Sequence, residues 1–260
     1  MKLSPERIAS LCLPAARQVT VKVVDETGST NADLLAALAS LASPMLLVAH
    51  AQTAGRGRAG RSWLSAPDKS LTFSLAWQFD RPLQALVGLP LAVGVALAEA
   101  LAMFNVAVKL KWPNDVLHEG KKLAGILIET AAGRDDRSWA VIGVGINMAL
   151  DADLVARIDR PVANIPWLAE LDRDMLLATL LNRLAEAMEQ FERDGLAAFV
   201  ARWNALHAYA GKAVAILDNG KTLHEGIAVG IDEIGRFLLD GAAGRVAVMA
   251  GDVSLRPAQR

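Results

Sequence analysis

The sequence predicts an α+β fold, a mixed β-sheet with packed helices followed by a small C-terminal β-barrel. Three observations carry this reading. Apolar runs of strand length at 45–51 and 71–77, with shorter ones near 106–112, 123–129 and 139–146, are joined by loops and polar turns around one long apolar helix. A helical period puts Leu177, Leu180, Leu181, Leu184, Met188 and Phe191 on one face of 174–193. Beyond Gly211 the texture changes to closely spaced short strands (213–218, 223–231, 236–240, 245–249) punctuated by Asn219-Gly220, Gly235 and Gly241, and Asn-Gly between apolar runs marks a hairpin. The length agrees, since 260 residues at about 150 per domain make one large or two unequal domains. The boundary is expected at 209/210, giving 1–209 and 210–260.

Taken in order, Thr30-Asn31-Ala32-Asp33 has the form of a helix start, with Thr30 as hydroxyl cap and an acid three residues on. Leu34, Leu38 and Leu41 follow at helical spacing. The run 87–108 is apolar enough to raise a membrane span, but Glu99, Asn105, Pro90 and many alanines favour a buried helix followed by a strand. GLAAFVARWNAL after Gly195 is a further short helix. Charges at Lys2, Glu6 and Arg7 without an apolar core argue against a signal peptide. A hydrophobic content of 53% excludes global disorder. The net charge of −1 points away from nucleic acid and anionic membranes. A lone cysteine, Cys12, forms no internal disulfide and suits a reducing, cytoplasmic setting. His50, His118, His207 and His224 have no ligand spacing, so no histidine-built metal site is expected.

The sharpest motif runs from Gln52 to Trp63. Gly55, Gly57 and Gly60 satisfy G-x-G-x-x-G, yet Ser65–Asp68 is a turn leading into a strand, and Gln78 stands where a dinucleotide site needs an acid. What remains is a mobile loop carrying Arg56, Arg58 and Arg61, suited to an anion with several oxygens. A solvated basic loop explains those charges equally well. Lys111-Trp112-Pro113-Asn114-Asp115, taken alone, is an ordinary hairpin turn, and Lys122 alone is a surface lysine. Gly125 inside a strand suggests close approach of a ligand or helix, and Gly143-Val144-Gly145-Ile146-Asn147 repeats the idea.

Together, Glu26–Asn31, Gln52–Trp63, Lys111–Asp115, Lys122–Leu127 and Gly143–Met148 resemble the catalytic part of a biotin–protein ligase. The resemblance runs in order from about residue 25 to the C-terminus, where RDGLAAFVARWNAL and the segment Gly251-Asp252-Val253-Ser254-Leu255-Arg256 resemble the family's small terminal barrel. It implies a class II synthetase-like catalytic domain that joins biotin to ATP, with Mg²⁺, as biotinyl-5'-adenylate. The acceptor it implies is a lysine of a biotin carboxyl carrier domain, in acetyl-CoA carboxylase or another biotin-dependent carboxylase. The resemblance assigns Lys122 and Arg58 to catalysis. It assigns Ser29, Thr30, Asn31, Gln52, Arg56, Gly57, Arg58, Trp63, Lys122, Gly125 and Leu127 to biotin. To ATP it assigns Arg56, Arg58, Arg61, Asn114, Asp115 and Asn147, with Asn114 at the adenine edge and Asp115 at magnesium or ribose. Ala59 departs from relatives that carry another arginine there. Only Met1–Val24 precedes the motifs, too short for a three-helix DNA reader, so a ligase without the repressor arm is expected. A homodimer through sheet edges is compatible with the pattern. The alternatives are a lipoate–protein ligase of the same architecture and a non-catalytic nucleotide- or RNA-binding module. The Gly-Arg-Gly-Arg loop combined with Lys-Trp-Pro-Asn-Asp favours biotin.

Overall fold

The computed structural model describes residues 3–158, 161–218, 220–251 and 253–257. Met1 and Lys2 of the N-terminal reading, Asn219 of the Asn-Gly turn and Asp252 of the closing segment lie outside the described residues. In chain order the elements are α1 (Pro5–Ser10), β1 (Thr20–Thr27), α2 (Thr30–Ala37), β2 (Met45–Gln52), β3 (Ser70–Phe79), α3 (Leu89–Ala102), β4 (Lys109–Lys111), β5 (Asp115–His118), β6 (Lys121–Ala132) and β7 (Ser138–Asn147). There follow α4 (Ala152–Ala156), α5 (Arg173–Asp194), α6 (Ala197–Leu206), β8 (Ala213–Asp218), β9 (Lys221–Ile231), β10 (Phe237–Gly241), β11 (Gly244–Val248) and β12 (Val253–Pro257).

Among the described residues the first sheet has the order β1-β2-β3-β7-β6-β5-β4, with β1 and β2 parallel and the other neighbours antiparallel. Strand alternation decides what each face does. On β3, Leu71, Phe73, Leu75, Trp77 and Phe79 enter the main core with α3 and α5, and so do Ile142, Val144 and Ile146 of β7. The other face of the same strands carries Ser70, Thr72 and Ser74 on β3 and Gly143 and Gly145 on β7, held side by side by the pairings Thr72↔Gly145 and Ser74↔Gly143. Helix α2 covers one end of that second face through Leu34, which packs with Leu47, Ala76, Trp139 and Val141. The remainder of the face, polar and glycine-rich, is left for a site.

Helix α3 lies within a run, Leu83–Ala102, that is long and apolar enough to cross a membrane, but two-thirds of it is buried inside this molecule. It is the central core helix, and Glu99 on its outer side pairs with Arg202 at 3.0 Å. The strand expected to begin near 106 starts only at Lys109. Three strands go beyond the sequence expectation: β1, which is half-exposed at the sheet edge, the four-residue β5, and β12. The cap of α2 is Ser29, whose hydroxyl accepts from the Ala32 backbone N–H, not Thr30. Thr30 is one residue inside the helix, and its hydroxyl is drawn to the polar face of the sheet by Ser74 at 2.7 Å.

The second sheet has the order β11-β10-β9-β8-β12 and is antiparallel throughout. Irregularities in register at Ile216/Leu217 and Leu238/Leu239 add the local twist that bulges bring. It is barrel-like but not closed: β11 and β12 remain its two edges among the described residues. The Trp112 indole N–H donates to the Gly235 carbonyl at 3.2 Å, and its ring lies 5.4 Å from that of Phe237. The strand-end motif Lys111–Asp115 is thereby anchored on the second sheet.

Candidate active site

Two connected spaces open on the polar face of the first sheet. The inner recess is floored by three glycines, Gly125, Gly143 and Gly145. A Cβ would overlap the Asn31 carboxamide at Gly143 and the Trp63 indole at Gly145, and would press tightly on Lys122 and Trp63 at Gly125. The close approach expected at these glycines is thus made by Asn31, on a helix, and by Trp63 and Lys122. The recess holds about 60 Å³, because Trp63 and its loop close over it. The adjoining cleft holds about 540 Å³, within the span of ligand pockets, roughly 300–1,000 Å³.

The loop above the recess is an ordered hairpin rather than a free loop. Arg56 and Ser62 are bridged, the Gly57 N–H donates to the Arg61 carbonyl at 2.7 Å, and the Trp63 N–H donates to the Gly55 carbonyl at 2.9 Å. Its two tip residues, Ala59 (φ 54°) and Gly60 (φ 68°), are both left-handed, as a two-residue hairpin turn demands. Two of its guanidinium groups, those of Arg56 and Arg58, are clamped to the body. Arg56 pairs with Glu129 at 2.8 Å, and Arg58 donates to the Asn114 amide oxygen at 3.2 Å and to the Gly251 carbonyl.

A chain of hydrogen bonds that ends on the Glu129 carboxylate organises the recess. The Thr30 N–H, an orphan donor in the first turn of α2, is satisfied by Gln52 Oε1 at 2.8 Å. The Thr30 hydroxyl meets Ser74, which donates to Asn31 Oδ1 at 2.6 Å. Asn31 Nδ2 donates to Glu129 at 2.9 Å and to the Leu127 carbonyl at 3.3 Å. Thr30, Asn31 and Ser74 are buried.

The cleft is organised by charge. Asp115 stands between two ammonium groups, Lys122 at 2.5 Å and Lys111 at 3.6 Å. Burial holds the Lys111 ammonium below the ordinary lysine range, and the Asp115 carboxylate opposes that shift. Arg58, Arg61, Arg157 and Arg256 complete the basic lining, and Asp115 is the single acid among the described residues of the cleft. Six cations around one carboxylate suit a polyanion. Lys122 belongs to both spaces, and Trp63 stands over it with the ammonium 5.7 Å from the ring centroid.

A family model for the Biotin/lipoate A/B protein ligase family matches residues 21–147, and one for the Biotin protein ligase C terminal domain matches 209–256. The Escherichia coli Bifunctional ligase/repressor BirA is 36% identical over 93% of this chain and 75% of its own length. The chain belongs to the biotin–protein ligase family. The Mycobacterium tuberculosis Biotin--[acetyl-CoA-carboxylase] ligase is 38% identical over 89% of this chain and 87% of its own length. Among solved structures, the Aquifex aeolicus biotin protein ligase in complex with biotin and ATP superposes with a TM-score of 0.76 at 30% identity, covering 92% of this chain and 99% of that one. A mixed sheet with packed helices and a separate antiparallel C-terminal sheet is the architecture of this biotin–protein ligase.

Of the residues assigned from the family resemblance, Ser29, Thr30, Asn31, Gln52, Arg56, Gly57, Arg58, Trp63, Asn114, Lys122, Gly125 and Leu127 line the inner recess. Gly57, Arg58, Arg61, Trp63, Asn114, Asp115, Lys122 and Asn147 line the cleft. Asn114 also holds its own strand, donating to the Ile126 carbonyl at 2.7 Å, and Asn147 donates to the Lys122 carbonyl at 3.1 Å. Sequence reasoning missed Ser74, Glu129, Arg157 and Arg256. Ser74 and Glu129 had one signal, their placement at alternate positions of strands whose other residues are apolar. Arg157 and Arg256 had none, because only the packing of the second sheet and of the segment after α4 brings them to the cleft.

Proposed function

We propose that this chain is an ATP-dependent ligase that activates biotin as biotinyl-5'-adenylate and transfers it to a lysine of a biotin carboxyl carrier protein. The observation that supports this most directly is the junction at Lys122, where a recess of neutral hydrogen-bonding groups meets a cleft of cations. A cyclic urea with an apolar tail suits the first, and a triphosphate suits the second.

In the first step a biotin carboxylate oxygen attacks the α-phosphorus of ATP. A C(O)–O–P bond forms, the bond from phosphorus to the bridging oxygen breaks, and pyrophosphate leaves. Two anions approach each other, so fixed cations stabilise the transition state where charge accumulates. Lys122 and Arg58 have that role here, with Arg56 and Arg61 holding the loop charge nearby. In the second step a neutral lysine amine attacks the anhydride carbonyl, an amide forms, AMP leaves and a proton is released. Ser29, Thr30 and Gln52 meet the ureido ring, Trp63, Gly125 and Leu127 wall the tail, and Asn114, Asp115 and Asn147 face the nucleotide. The described residues do not make a resident magnesium site, because both Asp115 oxygens face ammonium groups and no second acid lines the cleft. Mg²⁺ therefore enters with ATP, as part of the substrate.

The carrier is that of acetyl-CoA carboxylase or a related carboxylase, and the setting is the cytoplasm, where the buried free Cys12 stays reduced. Neither DNA nor a membrane belongs to this reading, and the edge of β1 is where a second copy would pair. The domain boundary is placed near residue 210. The test is biotin-dependent exchange of labelled pyrophosphate into ATP, with lipoate in a parallel reaction. Exchange with biotin alone is expected. Exchange with lipoate alone, or with neither, would overturn the proposal.

A further inference from the structure

We infer that Glu129 is a positioning residue that sets the direction of the hydrogen bonds offered to the bound cyclic urea. The inference rests on the biotin reading of the recess. Glu129 lies on the recess face of β6, two residues beyond Leu127, with one oxygen on Arg56 at 2.8 Å and the other on Asn31 Nδ2 at 2.9 Å. An ionised carboxylate only accepts, and so does the Leu127 carbonyl on the same amide nitrogen. The Asn31 amide therefore has one allowed orientation, with Oδ1 turned to Ser74.

The order then propagates. Ser74 has a single proton and gives it to Asn31 at 2.6 Å. The Thr30 hydroxyl has one proton and two acceptors in reach, Ser74 at 2.7 Å and Gln52 Oε1 at 3.2 Å. With the Ser74 proton on Asn31, it gives its own to the nearer Ser74 and keeps only acceptor capacity for a ligand. Gln52 Oε1 takes the Thr30 backbone N–H at 2.8 Å and lies 3.2 Å from the Thr30 hydroxyl, so Gln52 donates through Nε2. A cyclic urea brings N–H donors and one carbonyl acceptor, and it meets an acceptor hydroxyl and a donor amide. Replacing the carboxylate by an amide gives Asn31 a donor to turn towards, and Ser74 and Thr30 reverse with it.

The experiment is a double-mutant cycle read in pyrophosphate exchange. Glu129→Gln keeps the side-chain shape and an oxygen for Arg56. It is expected to raise the KM for biotin about tenfold, the scale of one reversed hydrogen bond, with kcat and the KM for ATP little changed. Ser74→Ala cuts the relay, so adding Glu129→Gln to it should raise the biotin KM less than about twofold further. Thr30→Val, which removes the relay's far end, replaces Ser74→Ala if that variant fails to fold. Additive effects, or a Glu129→Gln variant that raises both KM values alike, would overturn the role of Glu129 alone. Loss of biotin-dependent exchange in the parent chain would overturn the underlying reading instead.

Discussion

The inner recess and the outer cleft share a wall yet are built by opposite means. In the recess, Gln52, Thr30, Ser74 and Asn31 spend their hydrogen bonds on one another and on the Glu129 carboxylate, and geometry is fixed before any ligand arrives. In the cleft, six cations surround one carboxylate, and their attraction depends little on angle. The contrast teaches that the two ligands are recognised differently, a neutral ring by bond direction and a polyanion by field. Substitutions on the two sides should therefore fail in different ways.

The largest effect is expected at their junction. Lys122→Ala removes one of the two cations, with Arg58, that line both spaces, and adenylate formation should fall by at least about 10²–10³-fold, the scale of one lost oxyanion donor. Wild-type exchange in a folded variant would end the assignment. On the recess side, Gly143→Ala places a methyl group where the Asn31 carboxamide now lies. The biotin KM should rise roughly ten- to a hundredfold as the network is displaced, with the ATP KM unchanged, which steady-state kinetics in the two substrates resolves.

Arg58→Gly tests the closure itself. Its guanidinium ties the hairpin to Asn114 and to the Gly251 carbonyl. Without it, adenylate should form more slowly, on the charge of Lys122, but escape before transfer. Serum albumin added with biotin and ATP should be biotinylated faster than by the parent. Equal labelling, with adenylate still made, would show that the hairpin is not the retaining lid.

The smallest effect on activity, read instead in stability, is at His207. Its ring is buried against Trp203 and Phe237, and burial pulls its pKa down to about 4. In the unfolded chain it titrates near ~6.5. Between those values the unfolded chain binds a proton that the folded one does not. Stability is therefore complete above about pH 6.5 and falls as the pH drops towards 4, by up to about 3 kcal/mol. His207→Phe should flatten that slope in urea titrations between pH 4.5 and 7.

The sequence made the site's composition more legible than its assembly. Periodicity marked the buried helices and most strands, and the glycines of β6 and β7 announced close approach before its cause was visible. The cap of α2 was misplaced by one residue because Ser29 and Thr30 are both good caps, and only Ser74, forty-four positions away from Thr30, decides between them. The edge strand β1 and the short β5 lack the continuous apolar run that marks a central strand. The contacts of the basic loop with Glu129, Asn114 and Gly251 were not legible, because none of these residues is near it in sequence. The small C-terminal barrel was legible from its hairpins, but not that it stays unclosed, because local turn signals do not specify whether the first and last strands meet.

The clamp between Arg58 and Gly251 has a consequence for how the protein is made. The two residues are 193 positions apart in the chain. At a synthesis rate of about 5–20 residues per second, roughly 10–40 s separate the appearance of the guanidinium from that of its carbonyl. In the later part of that interval, once Gly145 has been made, a nascent chain carries its glycine floor and its lysine but lacks the latch on its lid. Retention of the reactive intermediate is therefore a late acquisition on the ribosome, gained only when the second sheet has emerged.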